Sequence, residues 1–341
     1  MKILPKPKIF KNASELKDVE GFSYSRLAKV STNIRGFLTE DKKTDAFRRG
    51  DLVDLLYESS EDSLQQIENN YLVTSDDMQI PGEAIIKCLT FVLENGGSTT
   101  KYECEINEDL VLAYAESINY GKGKYNNETI FKKLLPPSAE DYYFHLVKSK
   151  DKTVVTSEEY HKAVEIVNTF KTHPFTKPYC DSVTLEEEGW ERYHQVAFAF
   201  SYEGYTYKGI LDEMQVNKKL KRVRGIDIKT TSMSLKSFYK SFYDYRYDIQ
   251  SSLYKEFLER AFPEYDVDPF VFVYGSYTDR ENALVYDASN YQTLAKLGYV
   301  RNNRTYKGWL ELAKELEWHY ENDMFLFNKE IYDANGVIKL D

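Results

Sequence analysis

The segment from residue 195 to residue 229 constrains this chain more than any other. Gln195–Tyr202 alternates in polarity, Glu203-Gly204 supplies a tight turn, and Tyr205–Val216 returns. The basic run Asn217-Lys-Lys-Leu-Lys-Arg222 then leads into Val223–Lys229. Period-2 alternation marks strands, and turns this short join antiparallel neighbours. A three-stranded meander is therefore expected at the centre of the chain. After Thr230-Thr-Ser232 a long helix is expected from about Leu235 to Phe262. Two further strands, Pro269–Ser276 and Ala283–Tyr286, follow as a hairpin, and two helices close the chain. Upstream, Thr156-Ser-Glu-Glu159 is a capping box, in which the Thr oxygen and the Glu carboxylate each satisfy a free backbone N–H. It opens a helix that Pro174 stops. The expected fold class is α/β, a mixed sheet flanked by helices.

Composition removes several classes of function. Among 341 residues, 42% are hydrophobic and 29% charged, which excludes wholesale disorder. Apolar runs such as Val196–Phe200 and Phe270–Tyr274 fall far short of the ~20 residues a membrane helix needs. The first ten residues, broken by Pro5, Pro7 and lysines, lack the apolar core of a signal peptide, so a soluble cytoplasmic protein is expected. Three scattered cysteines give no disulfide framework and no iron–sulfur ligand set. Five histidines without HExxH or HxH spacing give no zinc site. Acidic residues outnumber basic ones 55 to 45, a balance that by itself argues against nucleic acid. The unusual feature is the aromatic content, 29 Tyr, 19 Phe and 3 Trp.

Chemistry concentrates in Gly209-Ile-Leu-Asp212 and Gly225-Ile-Asp-Ile-Lys229. On one strand Asp227 and Lys229 share a face, while Ile228 turns to the other. Asp212 lies on the neighbouring strand, within reach of Asp227. Adjacent carboxylates repel and raise each other's pKa unless a cation joins them, and Mg²⁺ favours such oxygens together with water and phosphate. The lysine can orient a water and stabilise charge developing on phosphorus. Asp…Asp-x-Lys is thus a minimal site for metal-dependent phosphodiester hydrolysis. It is equally the pattern of two strand-end aspartates with a surface ion pair. In the following helix Tyr243, Tyr247, Gln250 and Tyr254 are spaced 4, 3 and 4, one polar-aromatic stripe that either faces a ligand or stacks on itself.

Asp-Ile-Lys-Thr-Thr231 followed by Phe242-Tyr-Asp-Tyr-Arg-Tyr-Asp-Ile-Gln250 and Tyr254 resembles the PD-(D/E)xK nucleases of the exonuclease VIII (RecE) type. The resemblance spans residues 195–290. It reaches upstream to the Thr156 helix with His173-Pro174, to Tyr24-Ser-Arg-Leu27, and to Arg49-Gly-Asp-Leu-Val-Asp54. It implies a restriction-endonuclease-like core with a helical insertion. It also implies a Mg²⁺-dependent deoxyribonuclease (Mn²⁺ substituting) in which Asp212, Asp227 and the Ile228 carbonyl hold metal. Lys229 is then the catalytic lysine, and Gln250, Tyr254 and the neighbouring Tyr247 hold DNA. The family's role is exonucleolytic resection of linear duplex DNA for recombination or repair, in a bacterial or phage-infected cytoplasm. Its members can work with a single-strand annealing partner, and ring-like homo-oligomers occur among them.

Two positions depart from the family pattern. The place of a usual His is Asp54, which either adds a carboxylate ligand or belongs to an acidic helix face with Phe47, Asp51 and Glu58. The place of a usual Glu is Gln195, a neutral oxygen donor. A structure-selective endonuclease and a catalytically impaired DNA-binding protein remain the alternatives. A single nuclease domain over 1–341 is expected, with an insertion at 60–150 and a catalytic core at 156–320. Lys218, Lys219, Lys221 and Arg222, with Lys122, Lys124, Lys132 and Lys133 in the insertion, are the expected DNA path. Local charge suffices there because distant charges are screened beyond ~8 Å.

Overall fold

A computed structural model describes residues 3–39, 45–74, 78–150 and 152–337, without the side chains of 45–47. The strands form where the sequence alternates, and they build one seven-stranded mixed sheet. Its path runs β1 (Lys8–Ile9), β2 (Glu191–Tyr202), β3 (Tyr205–Asn217), β4 (Arg222–Thr231), β5 (Val271–Ser276) and β6 (Asp279–Asp287), with Asp266–Val267 also beside β4. The meander β2–β3–β4 is antiparallel. β4 and β5 are parallel, pairing Asp227 with Phe272 and Lys229 with Tyr274. A parallel neighbour needs a crossover, and the helices between β4 and β5 supply it. The fold is mixed α/β.

The chain divides into two compact units, residues 1–58 with 163–341, and residues 59–162. The first unit contains the sheet, α1 (Tyr24–Thr32), α2 (Asp45–Glu58), α4 (Phe238–Asp244), α5 (Tyr247–Ala261) and α6 (Trp309–Asn322). α3 (Ser157–Thr172), opened by the Thr156–Glu159 capping box, enters this unit at Ala163. The core lies between α5 and the sheet, where Phe257 stacks on Phe198 at 4.1 Å between ring centroids and Leu253, Ile249 and Trp309 are fully buried. Each such side chain contributes about 1.5–3 kcal/mol by leaving water. Close approach of α5 depends on Gly209, where a Cβ would meet Phe198 and Tyr254 carbons at 2.9 Å. Ile166 and Phe170 of α3 cover the other face, against Gly275.

The second unit is mostly helical, with helices Glu61–Asn70, Glu83–Glu94, Glu105–Ser117, Asn127–Leu134 and Glu140–Ser149 and a short parallel pair, Tyr71–Val73 with Thr153–Val155. Part of the tyrosine surplus works here as a hydrogen-bonding core. Buried Tyr102 and Tyr143 donate to the carbonyls of Pro136 and Ser98 at 2.9 and 2.6 Å.

Two expectations about elements change. The single helix over 235–262 is broken: Arg246 takes a left-handed conformation (φ 58°) between α4 and α5. Its buried guanidinium bonds Asp248, Ser31 and the Lys307 carbonyl, and that tertiary anchor outweighs helical continuity. Tyr243 therefore leaves the stripe and packs on Tyr291, Tyr306 and Arg301. A hairpin, Gly298–Arg301 with Arg304–Lys307, also precedes α6, in a stretch without long alternation.

Candidate active site

The site begins where β3 and β4 part. Their ladder runs from the hairpin turn to Glu213↔Ile226 and stops. One residue further, the Asp212 carboxylate accepts the Ile228 N–H at 3.0 Å, a side chain replacing the next ladder bond. The β2–β3 ladder is interrupted at the same level. Its pairs include His194↔Glu213 and Val196↔Leu211, while Gln195 adopts φ 47°. A left-handed conformation costs a non-glycine residue about 1–2 kcal/mol. Leu211 and Met214 belong to one core, so alternation slips between them, at Asp212. Irregularities of this kind re-aim side chains beside active sites.

Asp227 is fully buried. Its Oδ1 accepts the Gln250 side-chain N–H at 2.5 Å, and its Oδ2 pairs with the Lys229 ammonium. Burial, then the neighbouring Asp212 charge, pushes its carboxyl up to about 7 despite Lys229. Burial opposes the charge on Lys229, yet Asp227 and Asp212 hold its pKa well above the ordinary lysine value. Asp54 on α2 belongs to the same cluster: burial and then Asp212 drive its carboxyl well upward. The Lys229 ammonium lies 5.2 Å from the centre of the Tyr247 ring. Burial pushes the Tyr247 phenol up to about 12, and buried Tyr254 is raised by burial and then by Asp227 and Asp212. Both stay protonated near neutrality and can donate.

Asp212, Asp227, Lys229, Gln250, Tyr247, Tyr254 and Asp54 thus share one location, drawn from α2, β3, β4 and α5. Gln195 is exposed on β2, at the level of Asp212. The basic turn is elsewhere. Lys218 and Arg222 lie five or more residues along the strands from Asp212 and Asp227, about 17 Å at 3.3 Å per residue. Lys218 pairs with Glu191 at 2.7 Å, Lys221 with Glu264 at 3.8 Å, and Arg222 with Asp268 through both Nε and Nη2. Lys219 is exposed. In the second unit Lys132 pairs with Glu128, Lys133 lies over the Tyr125 ring, and Lys122 and Lys124 occupy a surface turn. Among the acidic-face residues proposed with Asp54, the Phe47 side chain lies outside the described residues.

The donor set suits a hard divalent ion bound in the manner of Mg²⁺. Two carboxylates lie side by side with the Ile228 backbone between Asp227 and Lys229, and the Gln250 Oε1 is buried without a hydrogen bond. Among the described residues no three His, Cys, Asp or Glu side chains form a metal cage. Mg²⁺ does not require one, since it takes one or two carboxylates and completes its shell with water and phosphate oxygens.

Two participants were not legible as such. Tyr24 on α1, noted only within Tyr24-Ser-Arg-Leu27, donates its Oη to the Tyr245 carbonyl at 2.6 Å and packs 6.3 Å from Tyr247. Glu213, next to Asp212, is fully buried and accepts Arg192 Nε and Tyr57 Oη, each at 2.7 Å. Tyr57 follows Asp54 by three residues, so both lie on one side of α2. A pocket of about 250 Å³ adjoins Tyr254 and is lined also by Ser23, Tyr24, Lys208 and Gly209. Among the described residues no helix is long and apolar enough to cross a membrane.

Comparison with known proteins gives a loose likeness only. No family model matches the chain, and no curated protein matches it in sequence. It is similar to the crystal structure of a candidate exonuclease from Eubacterium rectale at 14% identity and a TM-score of 0.35, over 77% of this chain and 96% of that one. It is also similar to a Vibrio cholerae protein at 12% identity and a TM-score of 0.18, over 89% of this chain and 57% of that one. At these scores neither likeness carries an argument about activity.

Proposed function

We propose that this protein is a metal-dependent DNA phosphodiester hydrolase of the PD-(D/E)xK type, acting as an exodeoxyribonuclease on linear duplex DNA. One observation carries the reading. Lys229 and Gln250 engage the two oxygens of a single buried carboxylate, Asp227, while Asp212 lies beside it. Two acids and one base in a buried pocket leave excess negative charge that a cation would neutralise. Asp212, Asp227 and the Ile228 carbonyl would hold Mg²⁺ or Mn²⁺, with Asp54 as a further carboxylate. When bound, such an ion polarises a phosphoryl oxygen and lowers the pKa of a coordinated water.

The protein's own residues do the rest. Lys229, paired with Asp227, supplies a positive charge and a hydrogen-bond donor toward a water or a phosphoryl oxygen. Gln250 locks the Asp227 rotamer from α5, and the Tyr247 and Tyr254 phenols, protonated near neutrality, can donate to phosphate. The biological setting that fits is resection of DNA ends for recombination or repair in a bacterial or phage-infected cytoplasm. A single-strand annealing protein would take up the product strand, and the enzyme itself would act as a homo-oligomer.

A neutral Gln195 beside Asp212, with no three-residue metal cage among the described residues, favours a second reading: a DNA-binding protein of nuclease ancestry with impaired catalysis. End-labelled linear DNA and covalently closed circles, incubated with and without Mg²⁺ or Mn²⁺, separate the possibilities. Nucleotide release from linear DNA alone, lost in Lys229→Ala and Asp212→Asn, is the expected result. Nicked circles indicate a structure-selective endonuclease, and an inert wild type with both metals refutes the catalytic reading.

A further inference from the structure

The break between α4 and α5 has a consequence at the rim of the site. A continuous helix would turn residues 245 and 246 along its own surface. Instead Arg246 is left-handed and its side chain is 98% buried, held by Asp248, Ser31 and the Lys307 carbonyl. Its neighbour Tyr245 is 60% exposed, although it belongs to a chain in which many tyrosines are buried. The Tyr245 carbonyl is fixed from the other side by the Tyr24 hydroxyl at 2.6 Å. Its ring centre lies 5.7 Å from that of Tyr247, which in turn is 5.2 Å from the Lys229 ammonium. Tyr245 therefore presents a solvent-facing ring within about 11 Å of the catalytic lysine, on backbone held rigid by two tertiary anchors.

We infer that Tyr245 is a stacking platform for an unpaired nucleobase, that of the nucleotide next to the phosphate engaged at Lys229. The inference rests on the nuclease reading and deepens it by naming what the site grips besides the phosphate. Every base offers a π-face, so such a contact tolerates any sequence while requiring that the base has left its partner. A ring on a preorganised turn loses little conformational entropy on stacking. The geometry thereby favours a frayed end over an intact internal step. Tyr245 is a positioning residue, since it acts on the substrate's placement and not on the reacting atoms.

The test compares wild type, Tyr245→Phe, Tyr245→Ala and Tyr245→Leu under single-turnover conditions with Mg²⁺. One end-labelled linear duplex is intact, and a second carries abasic sites at the last two positions of each strand end. The expected result is an about tenfold weaker half-saturating DNA concentration for Ala and Leu on intact DNA, with Phe unchanged, in line with the energy of one base–aromatic stack. On abasic DNA all four proteins should coincide. Loss of equal size on both duplexes indicates a structural role and overturns the inference, as does the absence of any loss. Active wild type indifferent to position 245 overturns only this inference, whereas wild type inert with Mg²⁺ and Mn²⁺ overturns the nuclease reading and this one together.

Discussion

The charge cluster at Asp227 should make the metal-free protein less stable than a variant that lacks the Asp227 charge. Asp227→Asn keeps an oxygen for the Gln250 N–H and keeps the side-chain shape, but it never ionises. In the wild type without metal, the carboxyl is held near 7 instead of the ordinary 3.8. Each unit of that difference corresponds to about 1.4 kcal/mol, so ionised Asp227 withholds at most about 4 kcal/mol above pH 7. Between about pH 4 and pH 7 the native state holds a proton that the unfolded chain has released. Wild-type stability therefore falls as pH rises through this window. Urea unfolding in EDTA at pH 4, 5.5, 7 and 8 reads the effect. The variant should match wild type at pH 4 and exceed it by up to about 4 kcal/mol at pH 8, a midpoint shift on the order of 1 M. Adding Mg²⁺ should narrow the gap by stabilising wild type alone, by about 2.7 kcal/mol at a hundredfold excess over Kd. A variant no more stable at pH 8, or a gap of the same size at pH 4 and pH 8, refutes the electrostatic reasoning.

Other perturbations follow from particular contacts. Arg192→Met strands the fully buried Glu213 without its cationic partner and should destabilise by about 3–5 kcal/mol, seen by chemical denaturation, whereas the double variant with Glu213→Gln should recover much of the loss. Gly209→Ala forces a Cβ to within 2.9 Å of the Phe198 and Tyr254 rings and should cost about 1–3 kcal/mol, while lowering nuclease rate by displacing Tyr254 and Gln250. Replacing both Lys218 and Lys219 with Ala should lower the slope of log binding constant against log salt by about 1–2 if the turn contacts phosphate; an unchanged slope removes it from the DNA path. Gln250→Ala should reduce turnover more than it weakens DNA binding, because its amide N–H is engaged by Asp227. Equal loss of both would point to direct contact with DNA.

Much of this architecture was legible because it is local. Strand alternation over 195–229 and the capping box at Thr156 are one-dimensional signals, and the turns between the strands fix antiparallel pairing before any packing is considered. The sequence by itself also put Asp227 and Lys229 on one face and brought Asp212 near them, because period-2 geometry and a short hairpin leave little choice. The break at Arg246 was hidden, since the helical pattern continues on both sides and the anchor that ends it comes from Ser31, Asp248 and the Lys307 carbonyl. The fate of the basic turn was hidden for the same reason. Lys218, Lys221 and Arg222 meet Glu191, Glu264 and Asp268 from elsewhere in the sequence, while Lys219 stays exposed. Tertiary structure alone decided the electrostatics of the site: burial of Asp227, its bond from Gln250, the approach of Asp54, and the supporting Glu213–Arg192–Tyr57 network. Residue order sets which groups can share a face, whereas a pKa depends on the dielectric and on every charge within a few ångströms, and those are fixed only when separate segments pack together.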